Sequence, residues 1–124
     1  MTPIARLSVI ALDCPDPHAL ARFYTDLTGW PLDPGDHSDD WVQLYPDGGA
    51  TAIAFQRAPG YRPPVWPSDE YPQQLHLDFD VPDLDEGERR VLAIGARKAE
   101  VQPGTTFRVY LDPVGHPFCL VLAG

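Results

Sequence analysis

The chain has 124 residues, of which 44% are hydrophobic, and this is the usual size of one domain with a buried core. Eighteen acidic residues against nine basic ones give a formal net charge of −9, which disfavours nucleic acid and anionic membranes as partners. The two cysteines are too few for a disulfide framework, and no apolar run reaches the length of a membrane span. We therefore expect a cytoplasmic protein of one domain with reduced thiols.

The first elements in chain order are a strand and a helix. The short apolar run Ile4–Leu12 predicts the strand. Asp16 is predicted to cap the helix, with Pro17 in the first helical position and Gly29 as the left-handed residue that ends it. Its predicted apolar face consists of Ala19, Leu20, Phe23, Tyr24 and Leu27.

Two further strands are predicted at Trp41–Tyr45 and Thr51–Arg57, joined by a turn rich in proline and glycine. The acidic stretch Asp33–Asp40 lacks the spacing of a calcium-binding loop. It is predicted to be a solvated loop.

The same order of elements occurs again 67 positions later. Leu7–Asp16 and Gln74–Asp83 share an apolar alternation, and both end in Asp-x-Pro-Asp. A second helix is predicted from Asp83 to Gly95, with Leu84, Val91 and Leu92 as its apolar stripe and Gly87 as a weak point. Strands at Phe107–Leu111 and Pro117–Leu122 complete this half. The repeat predicts an α+β fold of two βαβββ modules, at about 1–57 and 74–124, within a single domain spanning 1–124.

A connector at about 58–73 joins the modules. It contains five prolines, which keep it out of a central sheet, and three aromatic residues, Tyr61, Trp66 and Tyr71. These rings either cover exposed edges of the core or belong to a lid.

The second repeat alternates strictly between apolar and polar residues. Leu75, Leu77, Phe79 and Val81 share one face, whereas His76, Asp78 and Asp80 share the other. Asp78 is placed to orient the imidazole of His76, as general-base chemistry requires. The residue of the first repeat that matches His76 is Val9.

The segments 13–30, 74–85 and 112–120 together resemble the vicinal oxygen chelate superfamily, the glyoxalase, bleomycin-resistance and extradiol dioxygenase type. The first contains Phe-Tyr-x-x-x-x-Gly and the last contains Asp-Pro-x-Gly. The resemblance covers essentially the whole chain and is closest to small glyoxalase-like proteins of actinobacterial type. It implies that the two sheets curl around a central cavity and that the protein forms a homodimer.

The resemblance also implies where a metal would bind, because metal-dependent members take one ligand from the first strand and one from a late strand of each module. The corresponding positions here are Val9 and His76, then Cys119 with Ala52 or Ile53 as its counterpart. Two of these four side chains are apolar, so we expect no intact metal site and no cofactor. A divalent ion with Asp78 or Gln56 as a replacement ligand stays open.

These residues predict a protein that binds a small aromatic or cationic molecule in its cavity. Trp41, Trp66 and Gln56 would edge the cavity, Val9 and Cys119 would line it, and His76 and Asp78 would anchor the ligand. Cys119 is interpreted as a small buried hydrophobe. The alternative is a lyase or isomerase that acts beside a carbonyl, with His76 as its catalytic base and with or without a metal. A third hypothesis, a domain that only dimerises with another protein, leaves the inward polar residues unexplained.

Overall fold

A computed structural model describes residues 3–123, with residues 36 and 37 described by their backbone, so the predicted outer bounds at 1, 2 and 124 lie outside it. The described chain divides into two compact units, one ending at Tyr61 and the other beginning at Arg62. This division falls inside the predicted connector. Each unit contains one α-helix and one open sheet of four strands, which confirms the predicted α+β fold of two βαβββ modules.

The two units share one topology. In the first, the sheet order is β1-β4-β3-β2, and β1 runs parallel to β4. Its elements are β1 (Val9–Cys14), α1 (Pro17–Thr28), β2 (Leu32–His37), β3 (Trp41–Leu44), a 3-10 turn (Asp47–Gly49) and β4 (Ala52–Arg57). In the second, the order is β5-β8-β7-β6, and β5 runs parallel to β8. Its elements are β5 (Leu77–Val81), α2 (Leu84–Ala93), β6 (Arg97–Lys98), β7 (Phe107–Leu111) and β8 (Pro117–Leu122).

Helix α1 begins and ends where the sequence predicts. The Asp16 carboxylate accepts hydrogen bonds from the amides of His18 and Ala19, at 3.2 and 3.3 Å, and Gly29 adopts φ +79°. Its buried face includes Tyr24, which stacks on a ring of β4. The prediction of Ala19 on this face is wrong, because Ala19 is exposed. The small buried position is Ala21.

Helix α2 packs closely on the second sheet. Asp83 caps it through the amide of Glu86 at 3.0 Å, and a Cβ at Gly87 would lie 3.1 Å from a methyl group of Leu120. The glycine that weakens the helix therefore allows this close approach. Of the predicted stripe, Val91 is buried, whereas Leu92 is 42% exposed, so its prediction as a core residue is wrong.

The acidic segment contains a strand that the sequence did not predict. Residues 32–37 form β2, which pairs with β3 in an irregular register. The segment contains Pro34 and Gly35, which are typical of turns, but an edge strand tolerates both because only one side of it is paired. The prediction of a loop is correct only for the end of the stretch.

An ion-pair network fastens α2 to β6 and β7. Glu88 lies 2.9 Å from Nζ of Lys98 and 3.5 Å from the guanidinium of Arg108, and it accepts a 3.0 Å hydrogen bond from the Tyr110 hydroxyl. The hydrogen bond from Lys98 lowers the pKa of Glu88. Burial and, after it, the hydrogen bond with Glu88 raise the pKa of Tyr110.

Neither helix of the described residues is long and apolar enough to cross a membrane.

Candidate functional site

A pocket of about 220 Å³ opens on the face of the second sheet that points away from α2. Three strand residues form its floor, namely Val109 of β7 with Pro117 and Cys119 of β8. The complete lining consists of Trp66, Gln73, His76, Pro103, Phe107, Val109, Pro117 and Cys119. All of these residues belong to the second unit.

The alternation of the strands sorts the side chains between the two faces. Val109 pairs directly with Cys119, so both side chains point into the pocket, whereas Tyr110 and Phe118 stack with each other on the α2 side. Val109 and Cys119 form a small buried cluster with Ala99. The floor of the pocket is therefore apolar.

Two loop segments build the walls. Gln102 fixes the loop before β7, since its side chain donates to the carbonyls of Ala99 and Val109 and accepts from the Val109 amide, at 2.8–2.9 Å. This arrangement places Pro103 at the pocket. On another side stands Trp66 of the connector, which packs against the apolar cluster.

The connector beyond residue 61 has local structure of its own. The amide of Val65 donates to the Tyr71 carbonyl at 2.7 Å, and the guanidinium of Arg62 lies 4.7 Å above the Tyr71 ring. Pro63 lies against the β7–β8 turn, where a Cβ at Gly115 would come within 2.8 Å of it. The position of Trp66 agrees with the hypothesis that connector rings cover edges of the core.

Three side chains of types that can bind a metal meet at the pocket, and two of them, His76 and Cys119, line it. Nε2 of His76 lies 3.4 Å from Oδ1 of Asp78, and a ring nitrogen of His76, a carboxylate oxygen of Asp78 and Sγ of Cys119 all lie within 4.8 Å of one another. The side chains of His76 and Asp78 are 46% and 55% exposed, whereas Cys119 is buried, as the sequence predicts. Burial, followed by the charge of Asp78 and a hydrogen bond with it, raises the pKa of Cys119 to about 11. At neutral pH, without a cation nearby, Cys119 is therefore a thiol and not a nucleophile.

Gln73 presents an unused acceptor at the pocket. Its Oε1 is buried and has no hydrogen-bond partner among residues 3–123. A buried acceptor without a donor costs free energy, and a bound molecule with an N–H or O–H group would remove that cost.

The sequence predicts His76, Asp78, Trp66 and Cys119 as site residues, and the structure brings them together, but five of the eight lining residues were not predicted. Applying the alternation to β7 and β8 as well would have identified Phe107, Val109 and Pro117. Gln73 and Pro103 lie in loops, where no periodicity marks them.

The other predicted site residues belong to the first unit. Trp41 pairs directly with Gln56 on neighbouring strands, and Val9 pairs with Ala52. All three therefore share the face of the first sheet opposite α1. Their part in ligand binding stays a prediction.

The four metal positions implied by the resemblance do not carry four ligands. Strand register gives the first-unit counterpart of Cys119, because Cys119 pairs with Asp78 and the matching residue Ala11 pairs with Ala54. The counterpart is therefore Ala54, and the prediction of Ala52 or Ile53 is wrong by two residues or by one. Val9 and Ala54 offer no donor atom, so these positions do not fit the superfamily's metal site.

Comparisons with known proteins agree with the fold. A family profile described as "Glyoxalase-like domain" matches residues 9–121. An enzyme of the glyoxalase/bleomycin resistance protein/dioxygenase family from Burkholderia phytofirmans PsJN is 21% identical, with coverage of 95% of this chain and 98% of that one and a TM-score of 0.75. No curated protein matches the chain significantly.

Two further solved structures have the same fold. The fosfomycin resistance protein FosX from Listeria monocytogenes is 17% identical, with coverage of 98% of this chain and 96% of that one and a TM-score of 0.70. TnmS3, an antibiotic binding protein from Streptomyces sp. CB03234, is 21% identical, with full coverage of both chains and a TM-score of 0.62. At these identities the likeness concerns the fold alone. The family profile, which spans nearly the whole sequence, decides the assignment: this chain belongs to the glyoxalase-like domain family.

Proposed function

We propose that this protein binds a small organic molecule in the pocket of its second unit, and that the molecule is a single aromatic ring with a hydrogen-bond donor. The observation that carries the proposal is the combination of aromatic walls, Trp66 and Phe107, with the unpartnered acceptor of Gln73. Flat aromatic side chains favour an aromatic ligand, and a few placed polar groups fix its orientation.

The size of the pocket limits the ligand. A cavity of about 150 Å³ holds benzene, whereas drug-sized ligands take about 300–1,000 Å³. The pocket here, at about 220 Å³, fits one substituted ring. This volume favours a phenol or a benzylamine over a multi-ring compound.

The polar side of the pocket favours an amine. Gln73 Oε1 accepts a hydrogen bond, and the carboxylate of Asp78 lies beside His76 at the rim. A benzylammonium ion would place its ring between Trp66 and Phe107 and direct its charge toward these acceptors. The cationic and the aromatic character expected from the sequence are both met by such a ligand.

Titration calorimetry with benzylamine, phenol, toluene, cyclohexylamine and naphthylmethylamine tests the proposal. For benzylamine we expect a Kd of about 0.1 mM, since eight heavy atoms contributing about 0.7 kcal/mol each give about 5.5 kcal/mol. Three compounds should bind at least about fivefold more weakly than benzylamine. Toluene lacks the hydrogen-bond donor, cyclohexylamine lacks the aromatic ring, and naphthylmethylamine is larger than the pocket. Flat traces for the whole panel would count against this function.

A matched pair of variants locates the ligand. Gln73→Leu should weaken benzylamine binding about fivefold, the equivalent of one hydrogen bond, and leave toluene binding unchanged. Gln74→Leu makes the same substitution at an exposed neighbouring position and should change neither. Equal effects from both variants would place the ligand elsewhere.

A second candidate function is proton abstraction beside a carbonyl, and the contact between His76 and Asp78 favours it. The carboxylate orients the imidazole, which is nearly half exposed at the pocket and within reach of a bound molecule. Incubation of small carbonyl compounds in deuterated water should then show exchange of the α-proton by NMR. His76→Ala should abolish this exchange, whereas the control variant His116→Ala should retain it. Absence of exchange for every carbonyl compound would reject the enzyme.

A further inference from the structure

We infer that His76, Asp78 and Cys119 form a zinc site that the second unit builds alone. The three residues supply one nitrogen, one oxygen and one sulfur atom, all within 4.8 Å of one another. This inference does not depend on the organic ligand proposed above.

Strand register brings the donors together. Asp78 of β5 and Cys119 of β8 are directly paired in a parallel ladder, and their side chains therefore point to the same side of the sheet. His76 precedes Asp78 by two residues, so the alternation of extended chain places it on that side as well. The arrangement follows from the backbone and needs no residue of the first unit.

The distances suit a tetrahedral ion. Zinc bonds of about 2.0–2.3 Å at tetrahedral angles place neighbouring ligand atoms about 3.3–3.6 Å apart. His76 and Asp78 already meet this condition at 3.4 Å. The longest separation lies within 4.8 Å and has to close by about 1 Å, and the side chains of His76 and Asp78, which are both about half exposed, can rotate to close it.

The donor set selects the ion. A thiolate and an imidazole favour zinc over magnesium, calcium or manganese, which prefer oxygen ligands. When zinc binds, a zinc–sulfur bond replaces the sulfur–hydrogen bond of Cys119, and the proton leaves to solvent. The carboxylate of Asp78 completes a neutral site, because its charge and that of the thiolate balance the divalent ion. Three protein ligands leave the fourth position of the tetrahedron for a molecule in the pocket.

This site differs from the one that the superfamily resemblance implies. The implied site takes ligands from both modules, but the first module has Val9 and Ala54 in those places. Asp78 has no counterpart among the implied ligand positions, and its match in the first repeat is Ala11. The proposed site therefore uses two positions that the resemblance implies, His76 and Cys119, and one that it does not, Asp78.

Zinc and cobalt titrations of the chelator-treated protein test the inference. We expect one equivalent of zinc to bind with a Kd at or below about 1 µM in competition with a zinc-chelating dye. Cobalt should give the intense visible bands of a tetrahedral site and a near-ultraviolet thiolate charge-transfer band. A weak octahedral spectrum without the thiolate band, or no binding at 100 µM zinc, would overturn the site.

Matched variants identify the ligands. Asp78→Asn and His76→Ala should each weaken zinc binding by at least about tenfold, and Cys119→Ser should remove the charge-transfer band. Asp80→Asn is the control, because Asp80 is an exposed carboxylate on the same face one step further along β5. Since Asp78 is exposed, its variant stays informative even where Cys119→Ser fails to fold. Equal weakening by Asp78→Asn and Asp80→Asn would mean unspecific attraction of zinc to an acidic surface and would refute the inference.

The two proposals can fail separately. Benzylamine is titrated into the zinc-loaded protein and, separately, into metal-free protein in the presence of a chelator. Binding of the amine to metal-free protein without any zinc binding rejects the zinc site alone. Binding of zinc with no response to the organic panel rejects the organic ligand alone.

Discussion

Asp112 should be one of the most costly residues to replace in the second unit. Its side chain is fully buried at the β7–β8 turn, where Oδ1 accepts hydrogen bonds from the amides of Val114 and His116, both at 3.0 Å. Asp112→Ala removes the acceptor of both hydrogen bonds. Loss of the acceptor of a buried donor costs about 1–3 kcal/mol, and because Val114 and His116 are half-buried, water compensates in part. We therefore expect a loss of about 2–4 kcal/mol in the free energy of unfolding.

Urea unfolding followed by circular dichroism measures this loss, with Asp112→Asn as the matched control. Asparagine keeps Oδ1 as an acceptor, and we expect it to cost less than about half as much as alanine. A drop of 2–4 kcal/mol is a large part of the 5–15 kcal/mol typical of a domain, so the midpoint should fall visibly. A loss below about 1 kcal/mol for alanine, or equal losses for alanine and asparagine, would refute the reasoning about the two amides.

Three further predictions concern a turn, an ion-pair network and a thiol. Gly115→Ala should lower the free energy of unfolding in urea more than Gly29→Ala does. Both glycines have positive φ, but only a Cβ at Gly115 would lie 2.8 Å from Pro63. Equal losses of unfolding free energy for the two variants would contradict this. Glu88→Gln should cost about 1–2 kcal/mol at pH 7. Because the pKa of Glu88 is lowered in the folded protein, the difference from wild type should shrink as the pH falls below the ordinary range of a glutamate and the carboxylate takes up its proton. A difference that does not shrink at all in acid would count against the network. The raised pKa of Cys119 contributes stability below about pH 9 that is lost as the pH rises toward 11. Alkylation of Cys119 in native metal-free protein, followed by mass spectrometry, should therefore keep accelerating up to about pH 11, and a plateau near pH 9 would contradict the shift.

The repeat and the helix ends could be predicted from the sequence because they depend on local chemistry. Capping by Asp16 and Asp83 and the positive φ of Gly29 follow from side chains within a few residues of each helix end. The bounds of β7 and β8 were also predicted correctly, since both are apolar runs bounded by turns. These features need no knowledge of the tertiary structure.

The remaining features depend on contacts between distant segments. β2 carries turn residues and is a strand because β3 pairs with it. The counterpart of Cys119 depends on the length of the turn around Gly48, which shifts the register of β4 to Ala54. Gln73 gives no local signal, and its buried oxygen is recognised only when the loop is seen against the sheet.

The direct pairing of Asp78 with Cys119 also bears on how a duplicated fold changes its chemistry. A parallel ladder keeps neighbouring strands about 4.8 Å apart whatever side chains they carry. The same rung holds a carboxylate and a thiol in one half of this chain and two methyl groups, Ala11 and Ala54, in the other. The backbone of each half therefore does not depend on the side chains at this paired position. Two point substitutions there can add or remove a pair of donor atoms without changing the strand pairing.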